Sequence, residues 1–238
     1  MNLINLKKNQ KSFLNKLNWL YLKTGVNNGK FNMLCDLFLL EALINQNINL
    51  PILRVYAWSE PTISLGVNQK LDMNNLSLPH VQRVSGGQAV FHDVKQNELT
   101  YSLCLQYGFK PQKLYFEISK VLIVFLNKYG LKGKLGYSNK NYLTKFNCFK
   151  SKTQADIVVN DIKVIGSAQY RKKEYILQHG SIKLDLIRKS SNLEISFDRA
   201  ALDLKSAFQE MFNINFLEYP LKNQDYEKIN NHKLCLQH

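Results

Sequence analysis

The chain has 238 residues, 45% of them hydrophobic, and a formal net charge of +14. That length suffices for one sizeable buried core, and no apolar run reaches the roughly 18 residues of a membrane-spanning helix, so no membrane partner is expected. The charge suits acidic partners, although a chain this rich in Lys, Asn, Ile and Leu also fits a biased nucleotide composition.

Residues 1–18 are Lys- and Asn-rich with leucines broken up by lysines, and read as a flexible basic arm without the apolar core of a signal peptide. Trp19–Leu22 reads as a first strand that ends at Thr24-Gly25. Asn32 is placed as the cap of a broadly apolar helix through Met33, Leu37, Leu40 and Ile44, with Cys35 and Asp36 as packing and capping residues. Ile52–Trp58 and Thr62–Leu65 are strands on either side of Ser59-Glu60-Pro61, and Gly66 stops the second. The stretch 82–93 reads as strand, Ser85-Gly86-Gly87 turn, strand, with Arg83 at its entrance. Adjacent glycines allow close backbone approach, and successive N–H groups there can cradle an anion that Arg83 would clamp. A plain hairpin with a surface arginine is the structural alternative.

Glu98–Leu105 alternates as a strand. Pro111 opens a helix carrying Leu114, Ile118, Val121, Leu122 and Phe125 on one stripe, and Gly130 stops it. Residues 131–147 have no period and read as a loop leading into Cys148. Asp156–Val159 and Ile162–Gly166 form a hairpin about Asn160-Asp161. Gly166-Ser167-Ala168 reads as a small-residue turn, and a second hairpin about Arg171–Glu174 returns through Tyr175–Leu184. A last helix starts near Asp198 with Leu204, Phe208, Met211 and Phe212 on its core stripe. This order implies an α+β fold: a single domain, residues 19–218, with a mixed, largely antiparallel sheet flanked by helices, followed by a polar tail at 219–238. Cys35, Cys104, Cys148 and Cys235 form no Cys-x-x-Cys pair and have no histidine at zinc-finger spacing, so no metal is expected; reduced thiols and a cytoplasmic location are. Ser85, His92 and Asp93 lack the setting of a nucleophile elbow and are not read as a serine triad.

Taken in order, Glu60-Pro-Thr-Ile-Ser-Leu-Gly66, Arg83-Val-Ser-Gly-Gly-Gln-Ala-Val-Phe-His-Asp93, Glu98-Leu-Thr-Tyr-Ser102, Ile165-Gly-Ser-Ala-Gln169 and Ile176-Leu-Gln-His-Gly-Ser-Ile182 resemble the biotin/lipoate A/B protein ligase family. Within it the chain is most similar to the cysteine-dependent octanoyltransferases. Gln88 stands where ligases have a third glycine, Glu98-Leu-Thr-Tyr-Ser follows the His-Asp, and Cys148-Phe149 is followed by Asp156 and by Lys163. The resemblance implies the catalytic-domain fold of that family and two catalytic residues, Cys148 as nucleophile and Lys163 as its activator. It implies an acyl pocket walled by Arg83, Ser85, Gly86 and Gly87, then by Gln88, Ala89, Val90 and His92. The far wall would be Gly166, Ser167 and Ala168 with His179 and Gly180.

The implied reaction moves an octanoyl group from acyl carrier protein, through a cysteine thioester, to the lysine of a lipoyl domain. The acceptor would belong to a 2-oxoacid dehydrogenase or to the glycine cleavage H protein, and no cofactor would be required. A nearby cation could lower a thiol pKa from about 8.5 by roughly 1–3 units, but the thiolate also becomes a weaker nucleophile. Lys163 must therefore also stabilise charge on the thioester oxygen. The alternative is an ATP-dependent lipoate ligase, with ATP and Mg as cofactors and Cys148 as a bystander. A second alternative is a non-catalytic binder of carrier proteins or nucleic acid, for which no helix-turn-helix or RNA-binding motif speaks.

Overall fold

The computed structural model describes residues 17–69, 77–108, 111–136 and 156–232. Cys148, Cys235, nearly all of the 1–18 arm and the end of the 219–238 tail lie outside the described residues.

The chain opens with β1 (Asn18–Asn27), which runs past the expected stop at Gly25. Gly25 has φ +71° and sits at a register shift against the next strand, so it makes a bulge and does not end the strand. Helix α1 (Gly29–Ile44) is capped by Asn28, whose side chain accepts from the Phe31 N–H at 2.9 Å. Asn32 is therefore not the cap. It lies within the helix, buried, and donates to the Asn27 and Ala57 carbonyls. Strand β2 (Ile52–Trp58) lies parallel to β1, with α1 as the crossover.

Strands β3 (Thr62–Leu65), β4 (His80–Gln82) and β5 (Val90–His92) form a small sheet in the order β4-β3-β5. The expected hairpin across 82–93 is thus corrected. β4 and β5 never pair; each lies against β3, one parallel and one antiparallel, and the Ser85-Gly86-Gly87 loop crosses over the end of β3. Gly66 permits that crossing, since a Cβ there would lie 2.1 Å from the Gly87 carbonyl oxygen.

The main sheet continues with β6 (Glu98–Gln106), β7 (Lys134–Leu135), β8 (Ile157–Val159), β9 (Ile162–Lys172) and β10 (Tyr175–Lys183). β7 falls within the stretch read as a loop. Asn160 and Asp161 both have positive φ, as a tight hairpin between β8 and β9 requires. Gly166-Ser167-Ala168 is not a turn: these residues are paired along β9 with Ser181, Gly180 and His179 of β10. With β11 (Asn215–Glu218) the eight-stranded order is β11-β1-β2-β6-β10-β9-β8-β7. Only the β11–β1 and β1–β2 pairs are parallel, so the sheet is mixed and largely antiparallel, as expected.

Helices cover both faces. α2 (Pro111–Asn127), α3 (Leu184–Ser191) and α4 (Phe197–Phe212) pack Leu122, Phe125, Ile187, Leu204 and Phe208 on Leu53, Leu99 and Leu103. α1 packs Leu34 and Leu39 on Leu22, Ile52 and Leu177 of the other face. α5 (Asn223–Asn231) joins that side through fully buried Ile229, so residues 223–231 of the expected loose tail are a docked helix. Burying a side chain of that size contributes about 1.5–3 kcal/mol. Among the described residues no helix is long and apolar enough to cross a membrane.

Candidate functional site

Alternate residues of a strand share a face. On the α1 side of the sheet this places Arg54 and Tyr56 of β2 beside Ser102 and Thr100 of β6, with Trp58 at the end of β2 donating to Thr100, and Ser102, Thr100 and Glu98 beside His179, Ser181 and Lys183 of β10. All nine are buried. A polar stripe thus runs beneath α1 and the small sheet, and the space left between them is a cleft of about 550 Å³, open mouth included. Met33, Tyr56, Trp58 and Val90 line one part of it; Gly166, Ser167 and Ala168 of β9 line another.

Arg83 is buried and its guanidinium is committed to the loop. Nε donates to Ser85 Oγ at 3.1 Å, and Nη1 to the Ser64 carbonyl at 2.8 Å and Ser64 Oγ at 3.1 Å. Nη2 donates to the Gly86 and Gln88 carbonyls at 2.9 and 2.7 Å. The whole fork of donors is used, so the expected clamp on a ligand anion is corrected: Arg83 staples the Ser85–Gln88 loop. Gly87 holds φ +94° at the loop's tip and lines the cleft.

Each serine that accepts from Arg83 leads into a histidine and then a carboxylate. Ser85 Oγ lies 2.6 Å from His179 Nε2, and His179 Nδ1 lies 3.4 Å from Asp36 Oδ2. Ser64 Oγ lies 2.8 Å from His92 Nε2, and His92 Nδ1 lies 2.6 Å from Glu98 Oε1. Each carboxylate ends on a buried cation, Asp36 on Arg54 at 2.6 Å and Glu98 on Lys183. Burial works to raise the Asp36 carboxyl, but Arg54 and the hydrogen bonds from His179 and Ser102 outweigh it and hold it below the usual carboxylate range. Burial likewise opposes Glu98, and Lys183 and His92 outweigh it, so Glu98 is held well below that range. Burial lowers the His92 pKa, more than Glu98 raises it, and keeps the ring neutral near pH 7. Facing a carboxylate, Nδ1 carries the ring hydrogen, so Nε2 accepts from Ser64 O–H. Trp58 stacks on the His92 ring with centroids 3.9 Å apart.

Ser85, His179 and Asp36 thus have the connectivity of a Ser-His-Asp triad. Ser85 is fully buried, does not line the cleft and accepts from Arg83, so it orients the His179 ring and is no nucleophile. His92, excluded from any triad with Ser85 and Asp93, belongs to the other arm. Asp93 instead caps its own loop at the Val94 N–H.

Lys163 Nζ pairs with Asp156 Oδ1 at 3.0 Å, both side chains buried. Gly166 makes room for it: a Cβ there would lie 2.8 Å from Lys163 Cε and 3.2 Å from Nζ. Gly180 is equally constrained, since a Cβ would meet Tyr101 Cε1 at 2.5 Å and Ser167 Oγ at 2.8 Å. Among the described residues β8 pairs with β9 only as far as Ile165, so Gly166–Ala168 run on past its end.

Of the expected site, Arg83, Gly87, Val90, His92, Gly166–Ala168, His179 and Gly180 line the cleft, with Lys163 beneath Gly166. Ser85, Gln88 and Ala89 are buried in the supporting loop, and Gly86 faces open space. Cys148 lies outside the described residues. Cys35 and Cys104 are buried, and burial pushes the Cys35 thiol up to about 11 and the Cys104 thiol well up, so neither suits nucleophilic work. Asp36, Ser64, Glu98, Lys183 and Asp156 were not among the expected site residues, although Ser64, Glu98 and Asp156 stand in the stretches that carry the resemblance. Asp36 is corrected from a capping residue to an acceptor for Arg54, Ser102, Tyr56 and His179. Its signal was a polar pair, Asn32 and Asp36, four residues apart in the otherwise apolar run from Phe31 to Leu40; buried polar groups need partners. Among the described residues no cluster of His, Cys, Asp and Glu is placed to hold a metal.

A family model described as the lipoyl protein ligase A/B catalytic domain matches residues 28–199. Octanoyltransferase LipM of Carboxydothermus hydrogenoformans is 31% identical, the match covering 88% of this chain and 92% of that one. The octanoyltransferase LipM of Clostridioides difficile is 30% identical, over 84% and 88%. Among solved structures, protein Ta0514 of T. acidophilum with bound lipoic acid superposes with a TM-score of 0.71 at 19% identity, over 90% of this chain and 93% of that one. A lipoate-protein ligase A bound with ATP gives 0.69 at 19%, over 90% and 95%. These structures share the fold.

Proposed function

The chain belongs to the lipoyl protein ligase A/B catalytic-domain family and is an octanoyltransferase of lipoate biosynthesis, and from that premise we propose that it carries the acyl group on Cys148 between acyl carrier protein and a lipoyl domain. The Cys148 thiolate attacks the carbonyl of octanoyl carrier protein. A carbon–sulfur bond forms, the old one breaks, and the carrier leaves as its thiolate. The ε-amine of the lipoyl-domain lysine then attacks the acyl-enzyme, the amide forms, and Cys148 departs as a thiol with a proton from the amine. Thioester exchange is close to neutral in free energy and amide formation runs downhill, so the reaction calls for neither ATP nor metal.

The observation that carries this reading is the setting of Lys163: one buried ammonium, paired with Asp156, beside a cleft lined by Met33, Tyr56, Trp58 and Val90. An octanoyl chain fits such a wall, and the ammonium suits the developing charge on the carbonyl oxygen. The engagement of Arg83 within its own loop weighs against the ATP-dependent reading, which needs that fork for the phosphates. The partners are octanoyl carrier protein and the lipoyl domains of 2-oxoacid dehydrogenases or the glycine cleavage H protein. Acidic surfaces on them would match the +14 charge and act on association rate. We place the enzyme in the cytoplasm, where thiols stay reduced.

The test is donor profiling with a purified lipoyl domain. Octanoyl transfer from octanoyl carrier protein without ATP is expected; lipoylation or octanoylation from free acid only with ATP would replace this reading with the ligase.

A further inference from the structure

β10 turns His179, Ser181 and Lys183 toward the cleft side of the sheet. His179 is held by Ser85 and Asp36, and Lys183 by Glu98 and the Phe91 carbonyl. Ser181 between them is different. It lines the cleft, is only 4% exposed, and its Oγ has no hydrogen-bond partner among the described residues. Its neighbour across β6, Thr100, is already engaged, accepting from Trp58 Nε1 and donating to Glu98. Its neighbour across β9 is Gly166, over which the Lys163 side chain lies. A hydroxyl and an ammonium therefore flank a residue that has no side chain of its own. Buried polar groups are nearly always bonded, and nothing among the described residues accounts for leaving this one unbonded.

We propose that Ser181 Oγ–H is a hydrogen-bond donor to the carbonyl oxygen of the acyl thioester, sharing that oxygen with Lys163. This rests on the octanoyl-transfer reading and extends it to a residue outside the Cys148–Lys163 pair. When the thiolate adds to the carbonyl carbon, the C=O π pair moves onto oxygen, and the two donors hold that charge. When the intermediate collapses, the pair returns and the carrier thiolate is expelled. Ser181 keeps its proton throughout, so it needs no base. A donor fixed by a strand before the substrate arrives reorganises little, which is the condition under which such bonds favour the transition state.

The test uses the full chain with Ser181→Ala and Ser181→Thr. For Ser181→Ala, kcat for octanoyl transfer is expected to fall about 10²-fold with KM changed little, as for loss of one oxyanion donor. Its unfolding temperature is expected to equal or exceed that of the wild type, because the hydroxyl removed has no partner to lose. Ser181→Thr, which keeps the hydroxyl, is expected to recover most of the rate. A Ser181→Ala rate within about threefold of the wild type would overturn the proposal, as would a rate loss matched by a fall in unfolding temperature. If the wild-type chain transfers no octanoyl group, the underlying reading fails, and calorimetry decides on Ser181 separately. Against a heptylphosphonate of pantetheine, whose tetrahedral anionic oxygen stands in for the oxyanion where an amide would mimic only the ground state, an affinity at least about tenfold weaker for Ser181→Ala supports the donor, and equal affinity overturns it.

Discussion

Replacing Arg83 by lysine keeps the charge and removes the fork. The guanidinium makes bonds to Ser85 Oγ, to Ser64 O and Oγ, and to the Gly86 and Gln88 carbonyls. An ammonium has fewer donors, all set at one point, so roughly two of these bonds go unmade in a buried loop. Hydrogen bonds from a charged group are worth about 1.5–3 kcal/mol each, which puts the loss at about 3–6 kcal/mol. For a chain of this length that corresponds to a fall in unfolding temperature of roughly 6–24 °C. Transfer activity falls with it, because Ser85 and Ser64 orient His179 and His92 at the cleft. Thermal unfolding by circular dichroism, run beside the transfer assay on the same preparations, reads both. An Arg83→Lys variant that loses activity with an unchanged unfolding temperature would refute the staple and restore Arg83 as a direct ligand of the substrate.

Gly166→Ala places a Cβ 2.8 Å from the flexible end of Lys163, so the lysine moves and the sheet does not; stability is expected within about 1 kcal/mol of the wild type by denaturant unfolding and kcat down about 10²-fold. Lys163→Met takes the ammonium from buried Asp156 and is expected to cost about 3–5 kcal/mol. Adding Asp156→Asn should recover most of that stability and none of the transfer activity, which a double-mutant comparison checks. On pH, the His92 value is lowered from its ordinary 6.5, so the unfolded chain takes up that proton first as pH falls. The stability it contributes is complete above about pH 6.5 and is lost below it. Asp36 and Glu98 are also lowered, and their contribution is lost further down, below the usual carboxylate range. Unfolding temperature should therefore decline from pH 7 to pH 5, and His92→Gln should flatten that slope.

Helices α2 and α4 were legible because their apolar residues recur at helical spacing, and the central strands because they are short apolar-rich runs bounded by turn residues. Leu114, Ile118 and Val121 mark α2, and Leu204 and Phe208 mark α4. What local sequence could not carry was pairing between distant strands. The turn residues at 85–87 suggest that their flanks meet, yet β3 takes both β4 and β5 as neighbours. β11 was missed because it is only four residues long, and α5 because it is mostly polar; β11 is held by parallel pairing to β1, and α5 by Ile229 on the far side of the sheet. Glu98, Thr100 and Ser102 alternate with Leu99, Tyr101 and Leu103, a pattern that normally marks one face as solvent-exposed. Here that face looks into the cleft and every residue on it is buried. The ordered motifs located the cleft walls, while the relay from Arg54 to Lys183 joins residues too far apart in sequence for spacing to show.

The central claim is a covalent octanoyl intermediate on Cys148, and the most direct measurement is the intact mass of the chain after mixing with octanoyl carrier protein in the absence of ATP and of any lipoyl domain. One octanoyl group is expected on the wild type, none on Cys148→Ala, and release on adding a lipoyl domain. An adduct that persists in Cys148→Ala, or transfer to the lipoyl domain that continues in that variant, would contradict it.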